Sequence, residues 1–264
     1  MNRQAVNPYL PSWEYIPDGE PHVFNGRVYV YGSHDRFNAP IFCVNDYVCW
    51  SAPVEDLSEW RYEGVIYRKK QDPKNPLGYH LLFAPDVCQG PDGRYYLYYA
   101  FDFLGIMSVA VCDTPAGEYK FLGHIHYADG TLWGRRRGDQ LPFDPGVLVD
   151  DDGRVWLYSG FYNAVPAILT GGHKLRCDGG TVLELEKDMV TIKTEPRVIF
   201  PKKGPGAFQG HEFFEASSIR KEGKTYIFVY SSRHNHELCY ATSQSPDRGF
   251  SYGGTLVSQG DIFL

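Results

Sequence analysis

Four times along this chain an acidic residue is followed by a short apolar run, a tight turn ending in glycine, and an aromatic-rich run. The segments are PDGEPHVFNGRVYVYGS (17–33), PDVCQGPDGRYYLYYA (85–100), FDPGVLVDDDGRVWLYSG (143–160) and FEASSIRKEGKTYIFVYSS (214–232). Each centre reads Asn-Gly, Asp-Gly or Glu-Gly between β-prone runs. Such a pair favours a hairpin because glycine accepts a positive φ without steric cost. The turn glycines, Gly26, Gly93, Gly153 and Gly223, are spaced by 67, 60 and 70 residues. That interval is long enough for four strands per repeat.

A second phrase follows the hairpin in three repeats, at 50–66, 109–125 and 240–257, with an aromatic (Trp60, Tyr119, Phe250) four residues before a glycine (Gly64, Gly123, Gly254). The third repeat carries an alternating strand-like run over 180–199 instead. Hairpin plus second strand pair, repeated, predicts an all-β fold, a β-propeller with blades near 17–66, 84–125, 142–199 and 213–257 in a single domain over 1–264. A β-sandwich with coincidental hairpins is the competing architecture. No sustained 3.6-residue apolar period appears, so few helices are expected.

Composition narrows the function. Hydrophobic residues make up 43% and charged residues 22% of the 264 residues, enough apolar material for a sizeable core. A formal charge of −6 argues against nucleic acid or an anionic membrane surface as partner. Aromatics reach 16%, and flat rings suit both sheet packing and stacking on apolar ring surfaces. No apolar run approaches the roughly 20 residues that span a bilayer, and MNRQAVNPYL lacks the pattern of a secretion signal. The chain as given is expected to be cytoplasmic, or secreted if a signal has been removed. Six scattered cysteines, with no CxxC pair and no histidines at zinc spacing, read as buried free thiols.

Counting back from each turn glycine, an acid recurs at Asp18, Asp86, Asp144 and Glu215, seven to nine residues earlier. In a propeller the innermost strands line a central axis, so equivalent positions at their starts converge. Crowded carboxylates separate their pKa values, the condition that acid/base chemistry uses. Taken singly, each aspartate also fits a turn-closing role. Glu215 fits it poorly, because it is longer and follows two phenylalanines in HEFFEA.

These segments together, from NPYLPSWEYIPDGE at the start to HEFFEASSIRKEG, resemble glycoside hydrolase family 43 over residues 7 to about 250. The resemblance implies a five-bladed propeller acting on arabinose- or xylose-containing glycosides, with oligosaccharide or polysaccharide side chains as partners. Four blade repeats are visible, so it also implies a C-terminally truncated chain lacking the last blade. Carried over by motif, Asp18 is the general base, Glu215 the general acid, and Asp144 the aspartate that orients and tunes that acid. Hydrolysis would proceed by inversion, with the two carboxyls roughly 6.5–9.5 Å apart. Asp86, in the phrase APDV, would line the pocket or serve structure. No cofactor is implied beyond a calcium ion in the central channel.

Phe83 and Trp13 are candidates for stacking on sugar, and His34 for hydrogen bonding near the pocket. No metal-ligand set is read from the sequence. The basic run 134–138 reads as a solvated loop, and neither a phosphate-binding glycine loop nor Gly-x-Ser-x-Gly occurs. A non-catalytic carbohydrate-binding propeller, or an inactive fragment of an enzyme, is the alternative function.

Overall fold

A computed structural model describes residues 8–201, 206 and 208–258. Its strands form four antiparallel sheets of four, each built from consecutive strands in simple order. The chain is an all-β propeller in its fold class, and these sheets are its blades. Among the described residues the one helix is a 3-10 turn at Lys69–Gln71. None is long and apolar enough to cross a membrane.

The chain forms two compact units, Met1–Asp102 with Ser108–Gly123, and Phe103–Met107 with His124–Leu264. In the first, β1 (Glu20–Phe24), β2 (Arg27–Tyr31), β3 (Tyr47–Pro53) and β4 (Arg61–Tyr67) make one blade. The strands β5 (Asp86–Gln89), β6 (Tyr95–Ala100), β7 (Met107–Cys112) and β8 (Lys120–His124) make the next. The second unit carries β9 (Gly146–Val149), β10 (Val155–Phe161), β11 (Gly179–Leu185) and β12 (Arg197–Pro201). Its other blade is β13 (Phe213–Glu222), β14 (Thr225–Ser232), β15 (Leu238–Ser243) and β16 (Ser251–Val257).

The hairpin reading of the sequence holds at all four turns. Gly26, Gly93, Gly153 and Gly223 sit at φ between 58° and 84°, each between the first two strands of a blade. The second phrase encodes something the sequence did not reveal, a bulge on the outermost strand. The β3–β4 register slips between Cys49↔Gly64 and Trp50↔Tyr62, and the β15–β16 register between Tyr240↔Gly254 and Ala241↔Tyr252. A bulge twists an exposed edge away from further pairing.

The high tyrosine content also finds its reason. Tyr67 and Tyr99 are fully buried, their hydroxyls 2.6 Å apart, and Tyr99 donates to Asp72 at 2.7 Å. Tyr31 and Tyr119 both donate to the Pro115 carbonyl. Each ring fills the sheet interface and its hydroxyl is satisfied, which removes the penalty of burying it. In the second unit phenylalanines centre the core, with Phe200 stacked on Phe228 at 4.1 Å and packed with Phe213, Tyr230 and Phe250. No disulfide is assigned to the six cysteines, and five are buried.

Candidate active site

The strand that carries Glu215 does not run straight. Phe213 pairs with Ser232, Glu215 with Ser231 and Ser218 with Val229, so β13 bulges on both sides of Glu215. Ala216 follows at φ 62°, a left-handed conformation that costs a residue with a Cβ roughly 1–2 kcal/mol. Bulges re-aim side chains, and this pair departs from simple alternation at the one acidic residue in the strand's first half. Phe213 is fully buried in the core, whereas the Glu215 side chain is 26% exposed.

Asp144 reaches the same place from the next strand start. Its Oδ2 accepts the Ala216 N–H at 3.1 Å, which ties the carboxylate to the backbone immediately after Glu215. Asp144 is itself left-handed at φ 45° and nearly buried. Strain at adjoining positions persists only where the surroundings over-determine it, and such positions cluster at functional sites.

Side chains the sequence did not single out complete this part of the second unit. The His236 Nδ1 stands 3.8 Å from Glu215 Oε1, and its ring meets Phe214 edge-on at 4.4 Å. Phe214 lies 5.4 Å from Phe161 and 5.9 Å from Tyr162, over which the Arg233 guanidinium sits at 4.9 Å. Phe161 continues through Phe143 to Phe103 at 4.6 and 5.5 Å. An aromatic wall with one arginine thus flanks the carboxyls. No spacing rule picks out Arg233 or Tyr162, since they directly follow β14 and β10 and meet only in the fold.

Asp18 belongs to the first unit, at the turn leading into β1, with φ 56°. Its Oδ2 accepts the Ser33 hydroxyl at 2.7 Å. The residue is open to solvent, yet protein surrounds the carboxyl closely enough that lost hydration raises its pKa. The Ser33 bond opposes that rise and the charge of Asp35 adds to it.

Asp35 also lines a cleft of about 430 Å³ with Trp13, Tyr15, His34, Phe37 and Tyr62. The fold therefore brings together two of the sequence-predicted binding residues, Trp13 and His34. Trp13 is 65% exposed and leans on Trp50 at 5.9 Å. Both His34 ring nitrogens are engaged, Nε2 with Glu14 Oε1 and Nδ1 with the Asp46 carbonyl, each at 2.9 Å. Glu14, in turn, accepts the Trp50 indole N–H at 2.8 Å.

Phe83 and Asp86 lie elsewhere in that unit. Phe83 is nearly buried, packs on Phe42 at 5.4 Å, and its carbonyl accepts the Tyr47 hydroxyl. Asp86 is fully buried, bonded to His22 Nε2 at 2.6 Å and to its neighbour's N–H at 2.7 Å.

Calcium prefers six to eight oxygen ligands. Two clusters among the described residues have ligand atoms close enough to share a metal, Glu20–His22–Asp86 and His211–Glu237–Cys239. Each contains an imidazole and the second a thiol, so neither fits calcium.

A sequence profile described as glycosyl hydrolases family 43 matches residues 17–258. A xylosidase/arabinosidase of Thermoclostridium stercorarium is 60% identical over the whole of this chain, which spans 54% of that protein's length. Xylosidase/arabinosidase 43A of Humicola insolens is 32% identical, with 92% of this chain and 80% of that protein aligned. Among solved structures, the GH43_1 enzyme of Xanthomonas citri complexed with xylose superposes with a TM-score of 0.71 at 26% identity, covering 92% of this chain and 74% of that one. The hairpin repeats, the carboxyls at their heads and these likenesses agree: the chain belongs to glycosyl hydrolase family 43.

Proposed function

We propose that this chain cleaves arabinose- or xylose-containing glycosides by single-displacement inversion, with Glu215 as general acid and Asp18 as general base. The observation that carries the reading is the setting of Glu215, held between two bulges with Asp144 bonded to the next backbone N–H. Protonated Glu215 donates to the glycosidic oxygen as the C–O bond breaks. Ionised Asp18 takes a proton from the water that attacks the anomeric carbon from the opposite face. Asp144 is a positioning residue, whose negative charge also favours the protonated form of Glu215.

The names of the relatives support arabinose and xylose as the sugars. Complexes of family neighbours with xylose and xylotriose support oligosaccharide as the ligand class. Exposed Trp13 and the Phe214–Tyr162 wall offer flat faces for the apolar side of such sugars.

The test is proton NMR of the sugar released from an aryl α-L-arabinofuranoside and an aryl β-D-xyloside. Wild type should release the inverted anomer. Glu215→Gln should lose about 10²–10⁴-fold with poor leaving groups and least with activated ones, whereas Asp18→Asn should lose activity on all. Retained configuration, or a folded wild type that binds sugar and releases none, would overturn the proposal, the second outcome favouring a carbohydrate-binding propeller.

A further inference from the structure

We propose that His211, Glu237 and Cys239 form a binding site for a divalent transition-metal ion of the zinc class. The three come from separate places in the last blade. His211 lies in the segment entering β13, Glu237 in the turn between β14 and β15, and Cys239 in β15 itself. Their ligand atoms all lie within 4.8 Å of one another. His211 Nδ1 is 3.0 Å from a Glu237 carboxylate oxygen, Oε2, and 4.0 Å from the Cys239 sulfur. Tetrahedral zinc, with bonds of about 2.0–2.3 Å, places its ligand atoms about 3.3–3.8 Å apart. Shifts of up to about 1 Å bring these three onto one ion.

The surroundings support ligation. The other Glu237 oxygen, Oε1, accepts the Ser258 hydroxyl at 3.0 Å, which leaves Oε2 aimed at His211. The Tyr252 ring stacks on the imidazole at 4.5 Å and 9°, so the ring plane is set before any metal arrives. The Tyr230 hydroxyl holds the His211 carbonyl at 2.6 Å. Thr255 Oγ1 stands 3.5 Å from the Cys239 sulfur and 2.7 Å from the Tyr252 hydroxyl. Such outer partners orient ligands and raise affinity. Cys239 is fully buried and Glu237 nearly so, while His211 keeps its side chain 32% exposed and provides the route of entry.

Donor chemistry selects the ion. One thiolate, one imidazole and one carboxylate suit zinc, cobalt or copper, and disfavour calcium and magnesium, which demand oxygen. With the thiol and carboxyl ionised, the site carries two negative charges to meet a dication. His211 is four residues before Glu215 on the same run of chain, so an ion here would clamp the entry to the strand that bears the proposed acid. The metal site stands independently of that role.

The experiment is Co²⁺ titration of chelator-stripped protein, with Zn²⁺ and Ca²⁺ as competitors. The expected result is one equivalent of cobalt with thiolate charge-transfer absorption, displaced by zinc and not by calcium, and a zinc-dependent rise in melting temperature. Cys239→Ser should abolish the absorption and weaken zinc binding more than about a hundredfold. Loss of a ligand should exceed the about 10–100-fold cost of losing a supporting residue. Cys112→Ser, which changes the one cysteine that is not buried, should leave both unchanged. If Cys239→Ser fails to fold, His211→Gln must show the same loss of zinc binding. Absence of the band in wild type, its survival in Cys239→Ser, its disappearance only in Cys112→Ser, or unaltered zinc binding in folded His211→Gln would each overturn the site.

Discussion

Gly146 opens β9 directly beside the bulged part of β13, and Gly146→Ala tests whether that close approach positions the carboxyls. A Cβ at residue 146 would stand 2.6 Å from the Ser217 carbonyl oxygen and 3.0 Å from its carbon. A carbon normally keeps about 3.3 Å or more from such an oxygen, so the strands must part by about 0.7 Å. On its other side β9 is pinned, because Gly146 pairs with Tyr158, which is fully buried and donates to the Pro246 carbonyl at 2.6 Å. The shift therefore goes into Ser217, two residues after Glu215, and away from Asp144, two residues before Gly146. The 3.1 Å bond from Ala216 N–H to Asp144 would stretch beyond hydrogen-bonding range.

Overpacking of this kind costs about 1–3 kcal/mol. For a chain of this size that is a fall in Tm of about 2–5 °C. An ångström-scale misplacement of a catalytic group costs up to about 10²-fold, so kcat/KM should drop by about 10–100-fold. Gly153→Ala separates the two effects. Gly153 has φ 77° with open space where a Cβ would go, so that variant pays about 1–2 kcal/mol in backbone strain and should keep full activity. Thermal melts and aryl-glycoside kinetics on both variants decide the matter. If Gly146→Ala keeps kcat/KM within about twofold of Gly153→Ala, the argument that this contact positions the site is wrong.

Two further predictions concern single carboxyls. Ser33→Ala removes a hydrogen bond that holds Asp18 down, and Asp35→Asn removes a charge that pushes it up. The acidic limb of the kcat/KM profile should therefore move to higher pH in the first variant and lower pH in the second, and shifts of the same sign would deny Asp18 its role as base. Lys221→Met strands buried Asp150, which Lys221 and Tyr226 both contact, and should cost about 3 kcal/mol at neutral pH. Burial alone would raise the Asp150 pKa, but those hydrogen bonds outweigh it and hold it below the ordinary 3.8. The stability it contributes is thus present above that value and lost as pH falls through the lowered pKa. The Tm gap between Lys221→Met and wild type should narrow in acid, and a constant gap would show that packing, not charge, is lost.

The blades were legible because a hairpin is a local object. Asn25-Gly26 and its three counterparts determine the turn within a few residues, and strand alternation on either side does the rest. The acids at the hairpin heads were legible for the same reason, being at a fixed distance from the turn. Phe83, a candidate for stacking, is nearly buried, because the residues around it in the sequence do not say that a segment distant in the chain, carrying Phe42, packs over its ring.

The sequence by itself determined the number and order of the blades among the described residues, the turn positions, and which carboxyls stand at strand starts. All of these depend on contacts between residues near in the chain, where backbone sterics and side-chain alternation leave few choices. Tertiary structure alone decided the double bulge around Glu215, the bond from Ala216 to Asp144, the meeting of Trp13 and His34 on one cleft, and the convergence of His211 with Glu237 and Cys239. Those pairings join residues up to 72 positions apart. Their distances depend on how strands pack and slip in register, and a one-residue slip that leaves the local pattern almost unaltered turns a side chain to the opposite face.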